Sequence, residues 1–111
     1  HDLLQGFVHR HPARVDLVGG GLMEDMTRSV LYWAILDPRV DAAISEASLR
    51  MVRDRHRSGA GTYAQFLLTV RTRGESAAEA ELVGLRDDPS VGPVVRDLLH
   101  MRFGHAPDDR R

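Results

Sequence analysis

Apolar residues recur every three or four positions along most of this chain, and short runs of glycine, proline or aspartate separate the segments. This period places side chains on one face of an α-helix, whereas a half-buried strand requires strict alternation. Strand-like composition is confined to residues 14–18 and 66–72, and the second run lies between helix start and stop signals. The pattern therefore predicts an all-α fold, a compact bundle of about five to six short helices.

The length and composition fit one domain. The chain has 111 residues, 42% hydrophobic and 28% charged, which is enough to bury a core without cross-links. We expect a single helical domain over residues 1–111, with 105–111 as a flexible tail. The chain begins with histidine instead of methionine, which fits a processed protein, a tag remnant or a domain excised from a longer protein.

The first third of the chain has the least regular pattern. A short helix is predicted over 2–10, followed by an element over 13–18 that the composition leaves open as strand or helix. The glycines at 19–21 should then break the chain's regular structure, since each glycine costs a helix about 1 kcal/mol relative to alanine. A helix over about 22–36 follows this break.

A strong helix start signal comes next. Asp37 followed by Pro38 is typical of an N-cap and a first helical position, and we predict one helix over about 38–57. Within it, Glu46 and Arg50 form an i,i+4 ion pair. The apolar face of this helix is expected to comprise Val40, Ala43, Ile44, Ala47, Met51 and Val52.

Three more helices are predicted after the turn at 58–61. Two begin with a capping-box pattern, in which two side chains accept hydrogen bonds from each other's backbone N–H groups. The two capping pairs are Thr62 with Gln65 and Ser76 with Glu79. Ser90 is expected to cap the last helix, and Gly74 and Gly104 are expected to end helices in the left-handed conformation.

Charge and residue usage argue against several classes of function. The formal net charge is −1 with no basic lobe, which argues against a nucleic-acid partner. The chain has no cysteine or lysine, so thiolate chemistry, cysteine zinc sites and Schiff-base lysines are excluded. The longest apolar run, residues 30–36, is far shorter than the roughly 20 residues of a membrane span. We expect a cytoplasmic protein without a membrane partner.

We assign neither a metal site nor a cofactor. None of the six histidines has the spacing that places two ligands on one helix face. The glycines at 19–21 follow a strand-like run, which is the outline of a phosphate-binding loop, but they lack the G-x-G-x-x-G spacing. A turn, or the close approach of a neighbouring helix, is the alternative interpretation.

Arginines cluster near the end of the predicted 38–57 helix. Cations there complement the helix dipole, and arginine is also enriched in protein interfaces. We therefore take Arg50, Arg53 and Arg57 as the candidate partner-binding face. The favoured function is a non-enzymatic protein-interaction, oligomerisation or regulatory domain, whose partner is another protein or a second copy of the chain.

Arg50 and His56 suggest an enzymatic alternative. Their R-x5-H spacing resembles the motif of HEPN-type helical ribonucleases, and the resemblance covers these two residues and the helical background. It implies that Arg50 and His56 act on RNA at a dimer interface.

Four large side chains form a candidate ligand pocket: Met26, Trp33, Tyr63 and Phe66. Such residues at helical spacing either build the core or line a pocket for a small apolar ligand between helices. The second interpretation would fit a ligand-sensing domain, by fold-level analogy with helical transcriptional regulators.

Overall fold

The computed structural model of the protein describes residues 24–56 and 59–106, apart from the side chains of Glu24 and Asp25. These residues form six helices and no strand, which confirms the all-α prediction. The helices are α1 Glu24–Leu36, α2 Pro38–Ala42, α3 Glu46–Arg55, α4 Ala60–Arg73, α5 Glu75–Leu85 and α6 Gly92–Phe103. The predicted elements over 2–10 and 13–18, and the break at 19–21, lie outside the described residues.

Helix α4 lies at the centre of the described bundle. It packs against α1, α3 and α5, while α2 packs on α1 and α6 packs on α5. A helix with neighbours on several sides must be apolar on several sides. The buried residues of α4 accordingly include Ala60, Tyr63, Ala64, Phe66, Leu67 and Leu68. Val70 of the same helix is partly buried against the core.

Helices α1, α3, α5 and α6 also contribute buried side chains to the core, whereas α2 has no buried residue. Helix α1 contributes Val30, Leu31, Ala34 and Ile35 to the core. Helix α6 contributes Val95, Leu98 and Leu99. Among the described helices, none has both the length and the apolar character that crossing a membrane requires.

The predicted continuous helix over 38–57 is wrong. The segment forms two helices, α2 and α3, because the Ser45 hydroxyl accepts a hydrogen bond from the Ser48 N–H at 3.1 Å and caps a new helix. Ile44 lies in the interruption and is buried in the core. The interruption shifts the helical phase, so Ala47 and Met51 of the predicted apolar face are exposed. Leu49 is buried instead.

The predicted start at Asp37 is confirmed. Its Oδ1 accepts a hydrogen bond from the Arg39 backbone N–H at 2.9 Å, and Pro38 occupies the first turn. The Arg39 guanidinium also binds this carboxylate. The hydrogen bond from that side chain, and then the one from the backbone, hold the pKa of Asp37 below its usual range.

Both predicted capping boxes are wrong, because glycines start the helices earlier. Gly59, with φ +52°, is the N-cap of α4 and provides no side-chain cap. Thr62 therefore lies inside the helix, and Gln65 donates its amide N–H to the Thr69 hydroxyl at 2.9 Å. Gly74 similarly serves as the N-cap of α5, so Ser76 also lies inside a helix.

The boundaries of the last two helices agree with the sequence-based predictions at some positions and differ at others. Helix α5 ends before Pro89, but α6 has Val91 as its N-cap instead of the predicted Ser90. Gly104 ends α6 in the left-handed conformation, which is confirmed, with φ +73° and ψ +17°. Gly74 has φ +93° but ψ 173°, so its backbone is not left-handed helical.

Two partly buried arginines hold separate helices together. Arg102 of α6 donates to the carbonyl oxygen of Ile35 at 2.8 Å, pairs with Glu75 and lies 5.3 Å from the centre of the Phe66 ring. Arg71 of α4 donates to the carboxylate of Asp41 at 2.7 Å. The contacts of Arg102 join α6 to α1, α5 and α4, and the contact of Arg71 joins α4 to α2. These charge-assisted contacts hold α4 in place relative to its neighbours.

The first residue of the predicted tail makes a defined contact. His105 Nε2 lies 2.6 Å from Glu79 Oε2 on α5. The carbonyl oxygen of His105 lies 2.8 Å from His100 Nδ1. Residues 107–111 lie outside the described part of the chain.

Candidate functional site

An open cavity of about 680 Å³ lies between the end of α3, helices α4 and α5, and the loop that leads to α6. We call it the α3–α5 groove. Its lining residues are Arg53, Asp54, His56, Gly61, Thr62, Gln65, Phe66, Glu81, Leu82, Leu85, Asp88, Ser90 and Val91. This volume is within the range of natural ligand and peptide sites.

A close backbone contact sets one end of the groove. His56 is the C-cap of α3, and its N–H bonds to the Val52 carbonyl oxygen at 2.9 Å. Its own carbonyl oxygen lies against Gly61, so close that a β-carbon at position 61 would be 1.4 Å from it. Glycine at this position thus allows the end of α3 to meet the first turn of α4.

Apolar side chains form the floor of the groove. Phe66 and Leu82 are buried, and the Phe66 ring packs edge to face on Phe103 at a centroid distance of 5.9 Å. Val91 is partly buried against the same core. Leu85, however, leaves 37% of its surface exposed. The floor thus presents apolar surface that a partner could cover.

Acidic groups predominate at the rim. Asp54, Glu81 and Asp88 line the groove with one guanidinium, that of Arg53. Arg53 Nε donates to Asp54 Oδ1 at 3.0 Å, so this cation is already engaged. Asp88 Oδ1 accepts the Ser90 N–H at 2.7 Å. Asp54 is paired with Arg53 and Glu81 with Arg73, so Asp88 supplies the excess negative charge of the rim.

A chain of hydrogen bonds fixes Glu81 in place. Its two carboxylate oxygens accept hydrogen bonds from the Thr69 hydroxyl and from Arg73, each at 2.8 Å. Gln65 in turn donates to the Thr69 hydroxyl. The acidic wall of the groove is consequently held by groups of α4 before any partner binds.

A second cavity, of about 330 Å³, lies between α1 and α4. It is lined by Arg28, Ser29, Tyr32, Trp33 and Tyr63. We call it the Arg28 cavity.

The structure separates the four residues of the predicted ligand pocket. Trp33 and Tyr63 both line the Arg28 cavity, whereas Phe66 lines the α3–α5 groove. Met26 lines neither of the two and is 39% exposed. The sequence analysis did not identify Arg28 and Ser29 as site residues. Arg28 lies four residues before Tyr32, and Ser29 lies four residues before Trp33, so each pair shares a helix face.

The predicted arginine face is also divided. Arg53 lines the groove, while Arg50 pairs with Glu46, which confirms the predicted i,i+4 pair. Arg57 lies outside the described residues. His56 lines the groove but Arg50 does not, so a ribonuclease site that uses both residues stays a prediction.

No group of three or more histidines and carboxylates within the described ranges could hold a metal ion. Comparison with known proteins identifies no relative: the chain matches no protein-family model, no curated protein and no solved structure.

Proposed function

We propose that this protein is a protein-interaction domain whose α3–α5 groove receives an amphipathic helix that bears basic residues and belongs to a partner protein. The observation that supports this proposal is the combination of an apolar floor with an acidic rim in one open cavity. Grooves of this kind bind the apolar face of a helix through anchors at helical spacing.

The floor favours apolar anchors. Leu85 and Val91 flank the buried Phe66 and Leu82, so an inserted aliphatic side chain would contact carbon atoms from α4, α5 and the following loop. Burial of an aliphatic side chain is worth about 1.5–3 kcal/mol before the entropy cost of association. Two or three anchors would give a moderate affinity.

The rim favours positive charge on the partner. Asp54 and Glu81 are paired with Arg53 and Arg73, which leaves the charge of Asp88 in excess, so a basic helix would meet complementary charge while an acidic helix would be repelled. Arg53 is the member of the predicted arginine face that the proposal retains, since it lines the groove, where it pairs with Asp54.

The groove is also suited to binding without rearrangement. Glu81 is held by Thr69 and Arg73, and Arg102 contacts Phe66 from α6. Groups that are fixed before binding lose less conformational entropy when a partner arrives.

The proposal is tested with two synthetic amphipathic peptides of about 18 residues, or five helical turns, that share a leucine face. One carries arginine at its polar positions and the other carries glutamate. Fluorescence anisotropy should show at least roughly tenfold tighter binding of the arginine peptide, with the difference shrinking as salt screens the rim charges.

Two variants of α5 locate the binding surface. Leu85→Glu should abolish binding, because it places a carboxylate on the floor of the groove. Val83→Glu is the matched control, since Val83 is on the same helix and 43% exposed but does not line the groove. Equal affinity for the two peptides, or full binding by the Leu85→Glu variant, would contradict the proposal.

The enzymatic alternative has its own assay. If the protein is a HEPN-like ribonuclease, Arg50→Ala and His56→Ala should each abolish RNA cleavage while the far-ultraviolet circular dichroism stays unchanged. A parent protein that does not cleave RNA would exclude this alternative.

A further inference from the structure

The Arg28 cavity combines one cation with three aromatic walls. Arg28 and Ser29 lie on the same face of α1 as Tyr32 and Trp33, one turn further on. Tyr63 of α4 forms the opposite wall, with its ring 6.4 Å from that of Tyr32 at an interplanar angle of 58°. The cavity thus has flat apolar sides and a guanidinium in its lining.

The guanidinium of Arg28 is exposed, lies over the Tyr63 ring at 5.9 Å from its centre, and is close to the N-terminus of α4. A β-carbon at Gly59, the N-cap of α4, would lie 3.4 Å from a terminal nitrogen of Arg28. The guanidinium therefore sits at the positive end of the 14-residue helix α4, where Gly59 supplies no side-chain cap. No carboxylate among the described side chains pairs with Arg28.

The buried residue Tyr63 adds a hydroxyl group to the lining of the Arg28 cavity. Tyr63 is 4% exposed, yet it lines the cavity. Burial raises the pKa of Tyr63, while the hydrogen bond with Arg28 opposes that rise. At neutral pH the phenol keeps its proton and can donate it to an anionic ligand.

We infer that the Arg28 cavity binds a small aromatic acid, whose carboxylate meets Arg28 and whose ring packs against Tyr32 and Trp33. An anion there would pair with the guanidinium and also compensate the N-terminus of α4. The volume of about 330 Å³ fits a single ring with a short acidic side chain, at the lower end of ligand-site volumes. This inference is independent of the α3–α5 groove, because none of the five lining residues is shared.

The experiment uses Trp33, the single tryptophan of the chain, as its own reporter. Its fluorescence is followed during titration with phenylacetate, with neutral phenylacetamide, and with acetate and inorganic phosphate. Phenylacetate should give a saturable change, and the other three compounds should bind at least about tenfold more weakly, because each lacks either the charge or the ring. Saturation by phosphate at the same concentrations would overturn the assignment of an aromatic acid.

Two variants test the roles of the lining residues. Arg28→Gln keeps a polar side chain but removes the charge, and it should weaken phenylacetate binding by about tenfold or more. Arg39→Gln is the control, because Arg39 is an exposed arginine of α2 outside the cavity. Tyr32→Ala should also weaken binding, while Leu85→Glu in the groove should not. Unchanged affinity in the Arg28→Gln variant, or no saturable response of the parent to phenylacetate, would overturn the inference.

Discussion

The carbonyl oxygen of His56 occupies the space that a side chain on Gly61 would need. A β-carbon at position 61 would lie 1.4 Å from this oxygen and 2.7 Å from its carbon. Both are backbone atoms of the turn that joins α3 to α4, so no side-chain rotation can relieve the overlap. The geometry of the hairpin, and with it one end of the α3–α5 groove, depends on glycine here.

Gly61→Ala should therefore lower the free energy of unfolding by about 3 kcal/mol or more, since the backbone itself must move. Urea denaturation measures this change. Gly84→Ala is the matched control in α5, because a β-carbon at position 84 has no neighbour within 4 Å. That variant should gain up to about 1 kcal/mol from helix propensity. A Gly61→Ala protein as stable as the parent would disprove the close contact.

The fold class was predictable because helical spacing and its interruptions are local properties of the chain. The residues at which the helices begin were harder to predict than the fold class. At Thr62 and Ser76 the capping-box pattern is present, but Gly59 and Gly74, three and two residues upstream, take the N-cap positions. At Ser45 the opposite occurred: a serine inside an apolar stripe caps a new helix, because burial of Ile44 stabilises the interruption.

Ser45 and Ser90 provide a direct test of this assignment. The Ser45 hydroxyl accepts the Ser48 N–H at 3.1 Å, so Ser45→Ala should cost about 1 kcal/mol of unfolding free energy. Ser90 offers only its backbone N–H, to Asp88 Oδ1, in the described contacts. Ser90→Ala should stay within about 0.5 kcal/mol of the parent. Thermal denaturation of the two variants measures whether Ser45 stabilises the helix that follows it more than Ser90 does. Equal losses of stability in the two variants would contradict the assignment of Ser45 as a helix cap.

The candidate sites were harder to predict than the helices, because both are formed by tertiary packing. The groove joins residues 53–66 with residues 81–91, and neither segment alone shows that the other lies beside it. Periodicity places Trp33 and Tyr63 on apolar faces, but it does not indicate which faces meet. Arg28 was missed for the same reason, since its significance depends on the N-terminus of α4 beside it.

Arg102 is expected to contribute more to stability than the exposed Arg50. It contacts Ile35, Glu75 and Phe66 on three different helices and is mostly shielded from water. Arg102→Ala should cost about 2–3 kcal/mol, because it removes charge-assisted hydrogen bonds and the packing of the stem on Phe66.

The comparison for Arg102 is Arg50→Ala, which removes an exposed i,i+4 pair with Glu46. Such pairs contribute about 0.3–0.5 kcal/mol. Chemical denaturation of both variants measures the difference. If Arg50→Ala lowered the free energy of unfolding as much as Arg102→Ala, the partial burial of Arg102 would not explain its contribution to stability.

Tyr63 should make the stability of the protein fall at alkaline pH. Its pKa is raised in the folded state, mainly by burial, so the folded protein binds the phenolic proton more tightly than the unfolded chain does. The resulting stabilisation is fully present below the unfolded pKa of about 10, and it is lost as the pH rises through the folded pKa. Tyr63→Phe should abolish this part of the alkaline loss, measured as the urea midpoint between about pH 8 and pH 11. Tyr32→Phe is the control, because Tyr32 is 38% exposed while Tyr63 is 4% exposed, and this variant should retain the loss. If both variants lose stability with pH as the parent does, groups other than Tyr63 cause the alkaline dependence.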